Sequence, residues 1–296
     1  MDNEYLTTKE LAGLLRIKER KVYDLAALQQ IPCTRATGKL LFSRTAITQW
    51  LAQHSTGAES SAGQKQILFA GSHDPLLEWS IRESQCGIPV LFDGSVDGID
   101  RVMSSQATVS GMHIYSPSSG RWNIDAVKQR VDETSTQVVL LHWLTRQRGL
   151  LMKPGLGLSG LEDIARAGKK TDVSMVVRQA GAGSQLLLQH LLVDTRIDIA
   201  DLNIALTARS EADMALAIAE GRADCGLGLE SLAGQHQLDF IPLVKESFDL
   251  LVDRRFWFES PMQKFIKFCN SEMFATKVQQ SVGYQADNML SVVFNS

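Results

Sequence analysis

The sequence predicts an α/β protein in two parts, a small, mainly helical head followed by a larger body of alternating strands and helices. Three observations carry this expectation. Residues 1–54 show two short amphipathic helical patterns with basic residues between and after them. Residues 55–65 are small and polar, the composition of a flexible linker. From residue 66 to 296, short apolar runs alternate with helical spacing of ordinary length.

The bulk composition narrows the class further. At 296 residues the chain is long enough for two domains, and 44% hydrophobic with 21% charged residues is the balance of a soluble globular protein. No apolar run approaches the roughly 20 residues that cross a bilayer. The Met1-Asp2-Asn3-Glu4 start is acidic and no long apolar run follows it, so no secretory signal is read, and the expectation is a cytoplasmic protein without a membrane partner. Cys33, Cys86, Cys225 and Cys269 are scattered without paired spacing and are expected to be reduced core thiols. Residues 1–54 carry eight Lys/Arg and five Asp/Glu, or +3, which leaves −6 for the remainder of a chain whose net charge is −3. A basic head on an acidic body suggests that only the head meets nucleic acid.

In the head, Thr7 and Glu10 stand three apart as a capping box, opening a helix over residues 7–15 with Leu11, Leu14 and Leu15 as its apolar stripe. A turn at Arg16-Ile17 leads to a second helix, Glu19 to Leu28, with Val22, Leu25 and Leu28 expected inward. Lys18, Arg20, Lys21 and Tyr23 fall on or near its first half, which is the helix-turn-helix pattern. Residues 31–35 and 39–42 read as a short hairpin around Thr37-Gly38, and Ser43 caps a last helix from Arg44 to Gln53 carrying Ile47, Trp50 and Leu51.

On Tyr5 to Ala12, Val22-Tyr23, Ile31-Pro32 and Phe42 to Leu51, the head resembles the excisionase-type winged helix-turn-helix family, related to MerR-like DNA-binding domains. The resemblance implies a recognition helix in the major groove and a wing on the backbone. Lys18, Arg20, Lys21 and Tyr23 would then read bases or phosphates, with Arg35, Lys39 and Arg44 on phosphates. The alternative for each residue is a solvated basic face, because most protein–DNA hydrogen bonds go to the backbone anyway.

In the body, Ile67 to Ala70 reads as a buried strand, followed by a helix from about Leu76 with Asp74 as cap and Pro75 in its first turn. Strands follow at 89–92 and 107–115, a helix begins at Ile124 with Asn123 as cap, and a long apolar strand runs from Val138 to Leu144 and ends at Thr145 to Gly149, after which Leu150 to Lys153 continues extended. Ser159 and Glu162 form another capping box, Ser210 opens a helix through Ala219, and Phe240 to Val252 holds one or two strands. Between them lies Arg178-Gln179-Ala180-Gly181-Ala182-Gly183-Ser184, a glycine-rich turn between an apolar run and a helix start. Backbone N–H groups and the helix dipole suit such a turn to a small anion.

The body resembles the type II periplasmic-binding-protein fold, in its molybdate-binding-like branch. The match rests on Gly71-Ser72-His73-Asp74-Pro75, Gly94-Ser95, Gly111-Met112-His113, Arg148-Gly149-Leu150, Arg178 to Ser184 and Ala219 to Gly228. It implies two lobes joined by crossing strands, closing on a molybdate- or tungstate-like oxyanion or a related small anion. Ser72, His73, Ser95, His113, Arg148, Arg178, Gln179, Gly181, Gly183 and Ser184 are the candidate ligand residues. Each serine taken alone is equally an ordinary helix cap, worth about 1 kcal/mol to its helix.

His73 and His113 lack a third ligand in motif spacing, so neither a metal nor a catalytic cofactor is expected. No Gly-x-Ser-x-Gly elbow, Walker loop or metalloprotease helix occurs in the sequence. The expectation is a DNA-binding transcriptional regulator, acting as a homodimer on double-stranded DNA, whose body senses a small anion. The alternatives are an excisionase-like architectural protein with a protein-interaction body, or an enzyme on the binding-protein fold.

Overall fold

The structure is a computed structural model, and it describes residues 5–28, 30–34, 38–44, 46–47, 50, 66–134, 136–168 and 173–296. The chain divides into two compact units, Met1–Gln64 and Lys65–Ser296.

The first unit has β1 (Tyr5–Thr7), α1 (Thr8–Leu15), α2 (Glu19–Ala27) and β2 (Leu41–Ser43). Thr7 caps α1 as its spacing predicts: its hydroxyl accepts from the Glu10 N–H at 3.3 Å while the Glu10 carboxylate accepts from the Thr7 N–H at 2.7 Å. Arg16, with φ 52°, ends α1 in the left-handed region and makes the tight turn into α2. Leu6, Leu11, Val22, Ile31, Phe42 and Ile47 form its core.

Three expectations for this unit need correction. Leu14 and Leu28 are exposed; Ala12 and Ala26 take the inward positions, because Leu28 lies past the last turn of α2 and Leu14 falls on the far side of α1. Among the described residues the hairpin shows one bridge, Thr34 to Leu41, and β2 pairs with β1, where no strand is read from sequence. Cys33 is exposed, not a core thiol. Arg35 and Leu51 lie outside the described residues.

The second unit is built on a sheet whose two ends belong to two lobes. One lobe holds β3 (Phe69–Gly71), α3 (Pro75–Glu83), β4 (Val90–Leu91), α4 (Ser95–Met103) and β5 (Val109–Met112). After a small ribbon of β6 (Tyr115–Ser116) and β7 (Arg121–Trp122) comes α5 (Ile124–Thr134). The 15-residue β8 (Val138–Met152) then crosses to the other lobe. There follow α6 (Leu161–Gly168), β9 (Ser174–Arg178), α7 (Gly183–Asp194), β10 (Asn203–Ala208), α8 (Glu211–Ala219), β11 (Cys225–Leu229) and α9 (Glu230–His236). The 15-residue β12 (Asp239–Asp253) crosses back, antiparallel to β8 along its length. Helices α10 (Ser260–Cys269) and α11 (Glu272–Gln280) follow, and β13 (Tyr284–Gln285) and β14 (Val292–Asn295) pair with β8. The strand order is β10-β9-β11-β8-β12-β5-β3-β4.

Two helix starts differ from the sequence expectation. The Asn123 side chain does not serve α5: it accepts from the Ile114 N–H at 2.6 Å and donates to Asp249 at 2.6 Å, tying the lobe to β12. Ser159 meets Asp163, four residues on, instead of Glu162, because α6 starts one residue later than the box assumes. The Asp74–Pro75 start of α3 forms as read, with Asp74 Oδ1 accepting from the Leu77 N–H at 2.7 Å. Within each lobe the three short strands run parallel, β3, β4 and β5 in the first and β9, β10 and β11 in the second. The turns at their C-terminal ends are where open α/β sheets bind ligands.

Candidate functional site

Two of those turns meet. Gly94, with φ 109°, lets α4 begin hard against the second lobe: a Cβ there would stand 2.8 Å from the Gly181 carbonyl oxygen. The Val96 N–H donates to that same Gly181 carbonyl at 3.4 Å. A Cβ on Gly183 would strike the His113 carbonyl and ring, so glycine is needed for this close approach of the lobes. Ser95 Oγ accepts from the His113 N–H at 3.1 Å and lies 2.6 Å from Ser72 Oγ. Ser184, near the start of α7, is also buried, yet its hydroxyl has no hydrogen-bond partner among the described residues.

Beneath the turns runs a buried chain of charges. Arg148 donates to Glu246 at 2.8 and 2.9 Å and to Glu211 at 3.1 and 3.2 Å. Arg178 meets Glu211 at 3.1 Å and donates to the carbonyls of Ala208 and Arg209. Arg146 bonds Glu246 and, at 2.7 Å, Asp74, and its guanidinium stands 4.2 Å from the centre of the Phe248 ring. The Tyr284 hydroxyl closes the chain on Asp74 at 2.6 Å, and His113 Nδ1 lies 3.0 Å from Glu246. Three arginines therefore face three carboxylates.

Burial works against the charge of Glu211 and Glu246, but the arginines outweigh it. Arg148 and Arg178 hold the Glu211 carboxyl at about 2, and Arg146 and Arg148 hold Glu246 well below the ordinary range. Burial lowers His113, and the nearby arginines reinforce it over the pull of Glu246, so His113 is neutral.

The candidate residues thus separate into groups. Ser72, Ser95, His113, Gly181, Gly183 and Ser184 come together at the meeting of the turns. Arg148 and Arg178 sit beneath them, with their charge met by Glu211 and Glu246 and not open to a ligand; His113 likewise brings no charge. Gln179 is half-buried, its amide 3.4 Å from the Arg209 carbonyl. His73 is turned aside, Nε2 at 3.0 Å from Glu78 and its ring against Phe92.

Sequence reading places Arg146 beside Arg148 as a residue able to reach the cleft or bridge the lobes at the hinge, with Arg148 ranked higher; it misses Glu211, Glu246 and Tyr284, and assigns Asp74 only a capping role. One signal was present: Arg146 and Arg148 stand two apart on a strand and so share a face, and inward arginines need inward acids. Glu246, in the middle of an apolar strand and opposite Arg146 in register, supplies that need.

On the first unit, Lys18, Arg20, Lys21 and Tyr23 are all exposed around the start of α2, and Lys39 and Arg44 are exposed as well. Together with the two-helix turn, this is a basic face on a helix-turn-helix scaffold.

Fold and site define a helix-turn-helix domain joined to a two-lobed binding-protein domain. The model of the PBP superfamily domain matches residues 78–270, and a helix-turn-helix domain model matches residues 5–55. The chain belongs to the PBP superfamily.

It is 25% identical over 304 residues to the uncharacterized protein YvgK of Bacillus subtilis, covering 94% of each chain. Among solved structures, it is similar to a protein taken for a phosphate ABC transporter substrate-binding protein, with bound phosphate, from Clostridium perfringens. That likeness has TM-score 0.54 and 13% identity, over 74% of this chain and 98% of that one. It is also similar to the binding protein component of an ABC phosphonate transporter from Pseudomonas aeruginosa, with TM-score 0.50 and 15% identity, over 75% of this chain and 81% of that one. At these identities the structural likeness establishes the fold. Among the described residues no helix is long and apolar enough to cross a membrane.

Proposed function

We propose that the protein is a cytoplasmic one-component transcriptional regulator. The first unit binds duplex DNA as part of a homodimer, Arg20 and Lys21 in the major groove and Lys39 and Arg44 on phosphates. The second unit binds a small anionic ligand between the turns at Gly94–Ser95 and Gly181–Ser184, and ligand-dependent closure of the lobes biases how two heads are presented to DNA. Its role is binding, with no turnover.

The buried, unpartnered hydroxyl of Ser184 carries the ligand half of this reading. Buried polar groups in native proteins are mostly satisfied, and an unsatisfied one beside the facing turns is where a ligand could supply the missing partner. The neutralised arginines refine the ligand's chemistry. An anion here is held by hydroxyls, backbone N–H groups and helix dipoles instead of by an open cation, which suits a compact tetrahedral oxyanion. Phosphate, bound by one of the similar structures, is of that kind, as are molybdate and tungstate.

The test is a thermal-shift series with molybdate, tungstate, phosphate, sulfate and small carboxylates, on the full chain and on Ser184→Ala. One tetrahedral oxyanion should stabilise the native chain and fail to stabilise the variant; absence of any shift sinks the sensing half. Arg20→Ala with Lys21→Ala should abolish the DNA gel shift, and retained binding would refute the recognition helix.

A second reading, an architectural DNA protein with a protein-interaction body, draws support from the edge strand β10. It leaves Ile204 exposed, and Val193 and Leu216 are exposed on the same lobe. A body that responds to no small molecule but is captured by a partner protein would favour it.

A further inference from the structure

The ribbon of β6 and β7 belongs by chain to the first lobe and is fastened there by hydrogen bonds. At its base the Asn123 side chain accepts from the Ile114 N–H at 2.6 Å, and the Asn123 N–H donates to the Ile114 carbonyl at 2.7 Å. Nearer its tip, Ser119 and Arg121 both donate to Asp125 of α5. Its aromatic side chains turn the other way. Tyr115 and Trp122 stand opposite each other across the ribbon, ring centres 5.1 Å apart, and both pack on the core of the second lobe. There the Tyr115 ring lies 4.9 Å from the ring of His190 on α7.

This contact continues the seam of the facing turns. Gly183 and His190 stand two turns apart on one face of α7, against His113 and Tyr115 of the first lobe. Ser72, Ser95, His113 and Ser184 are all buried under that seam, so a ligand reaches them only if the lobes part. Elsewhere along the rim the lobes hold each other weakly. The Val96 N–H reaches the Gly181 carbonyl at 3.4 Å, and Arg209 meets Asp93 at 3.9 Å with both side chains exposed. Among the described residues no hydrogen bond joins the ribbon to α7, and His190 Nε2 is met at 3.1 Å by Asp194 of its own helix. Undocking the ribbon therefore exposes apolar rings without stranding a buried polar group.

We propose that the ribbon is a clasp: carried by the first lobe and docked through Tyr115 on α7, it holds the lobes shut and releases before a ligand enters the cleft. The ligand half of this statement rests on the cleft reading; the docking itself does not.

The experiment is a spin-label distance measurement between the lobes of the full chain. The exposed Cys33 is replaced by Ser, and nitroxides are attached at Asp100→Cys on α4 and Val193→Cys on α7, both exposed positions outside the ribbon. One short distance is expected with the native ribbon. Tyr115→Ala and, from the other side of the contact, His190→Ala should each broaden it toward longer separations. Both side chains are only half-buried, and circular dichroism checks that each variant is folded. Tyr115→Phe, which keeps the ring, should keep the short distance. An unchanged distribution in folded Tyr115→Ala and His190→Ala would overturn the clasp, as would Tyr115→Phe opening the lobes as Tyr115→Ala does. The same labels are followed with inorganic phosphate and with molybdate. Variants that open the lobes, in a chain that neither anion stabilises or closes, would uphold the clasp and sink the cleft reading.

Discussion

The turns that open α4 and α7 are built from the same parts, a glycine-rich loop and a serine at a helix start, yet they are finished differently. In the first, Ser95 Oγ is used twice, by the His113 N–H and by Ser72. In the second, Ser184 Oγ is likewise buried and is used by nothing among the described residues. On the proposed reading, the difference separates a hydroxyl that holds the lobe together from one that receives the ligand. Beneath both, the ion chain serves the two turns alike, since Glu246 faces His113 and Glu211 faces Arg178.

The largest expected effect comes from breaking what the turns share. Glu246→Ala leaves Arg146, Arg148 and His113 without their common acid in a dry core, which should cost about 3–5 kcal/mol in chemical denaturation. A loss near zero would mean that the network contributes nothing.

Acid should erode the same network in two stages. His113 is lowered from its ordinary 6.5, so the unfolded chain takes up a proton there that the fold refuses, and stability falls as pH drops through that value. Glu211, held at about 2 against an ordinary 4.5, contributes stability that is complete above 4.5 and is lost as pH falls toward 2. A melting temperature that stays flat from pH 7 to pH 4 would contradict this assignment.

Smaller effects separate the turns. Ser95→Ala strips a partner from the buried His113 N–H and from Ser72, costing about 1–3 kcal/mol by denaturant titration. Ser184→Ala removes a group with nothing to lose, so stability should change by less than about 0.5 kcal/mol while anion-dependent stabilisation disappears. Equal costs at the two serines would collapse the distinction.

What the sequence discloses follows range of interaction. The Thr7–Glu10 box and the Asp74–Pro75 start rest on neighbours a few residues apart and form as read, whereas β8 runs unbroken through Thr145 to Gly149, where the sequence pattern ends its apolar strand. Leu14 and Leu28 illustrate the limit of periodicity: a leucine at the end of a short helix is turned by the cap geometry, not by the stripe. The candidate cleft is half legible. Glycines and serines at strand ends mark where the turns lie, but the acids that answer Arg146, Arg148 and Arg178 come from positions 33 to 100 residues away. Glu211 reads locally as an ordinary first-turn acid after Ser210. Only the fold shows that it serves two arginines.

The central claim is that one chain couples a DNA-reading head to a ligand-binding body. Its most direct measurement is fluorescence anisotropy of the full chain on DNA fragments that the chain itself selects from genomic DNA. The titration is run with and without a saturating oxyanion and repeated with Ser184→Ala. The account predicts an affinity for DNA that changes with the anion in the native chain and is indifferent to it in the variant. An affinity unmoved by any ligand that binds the body would contradict it.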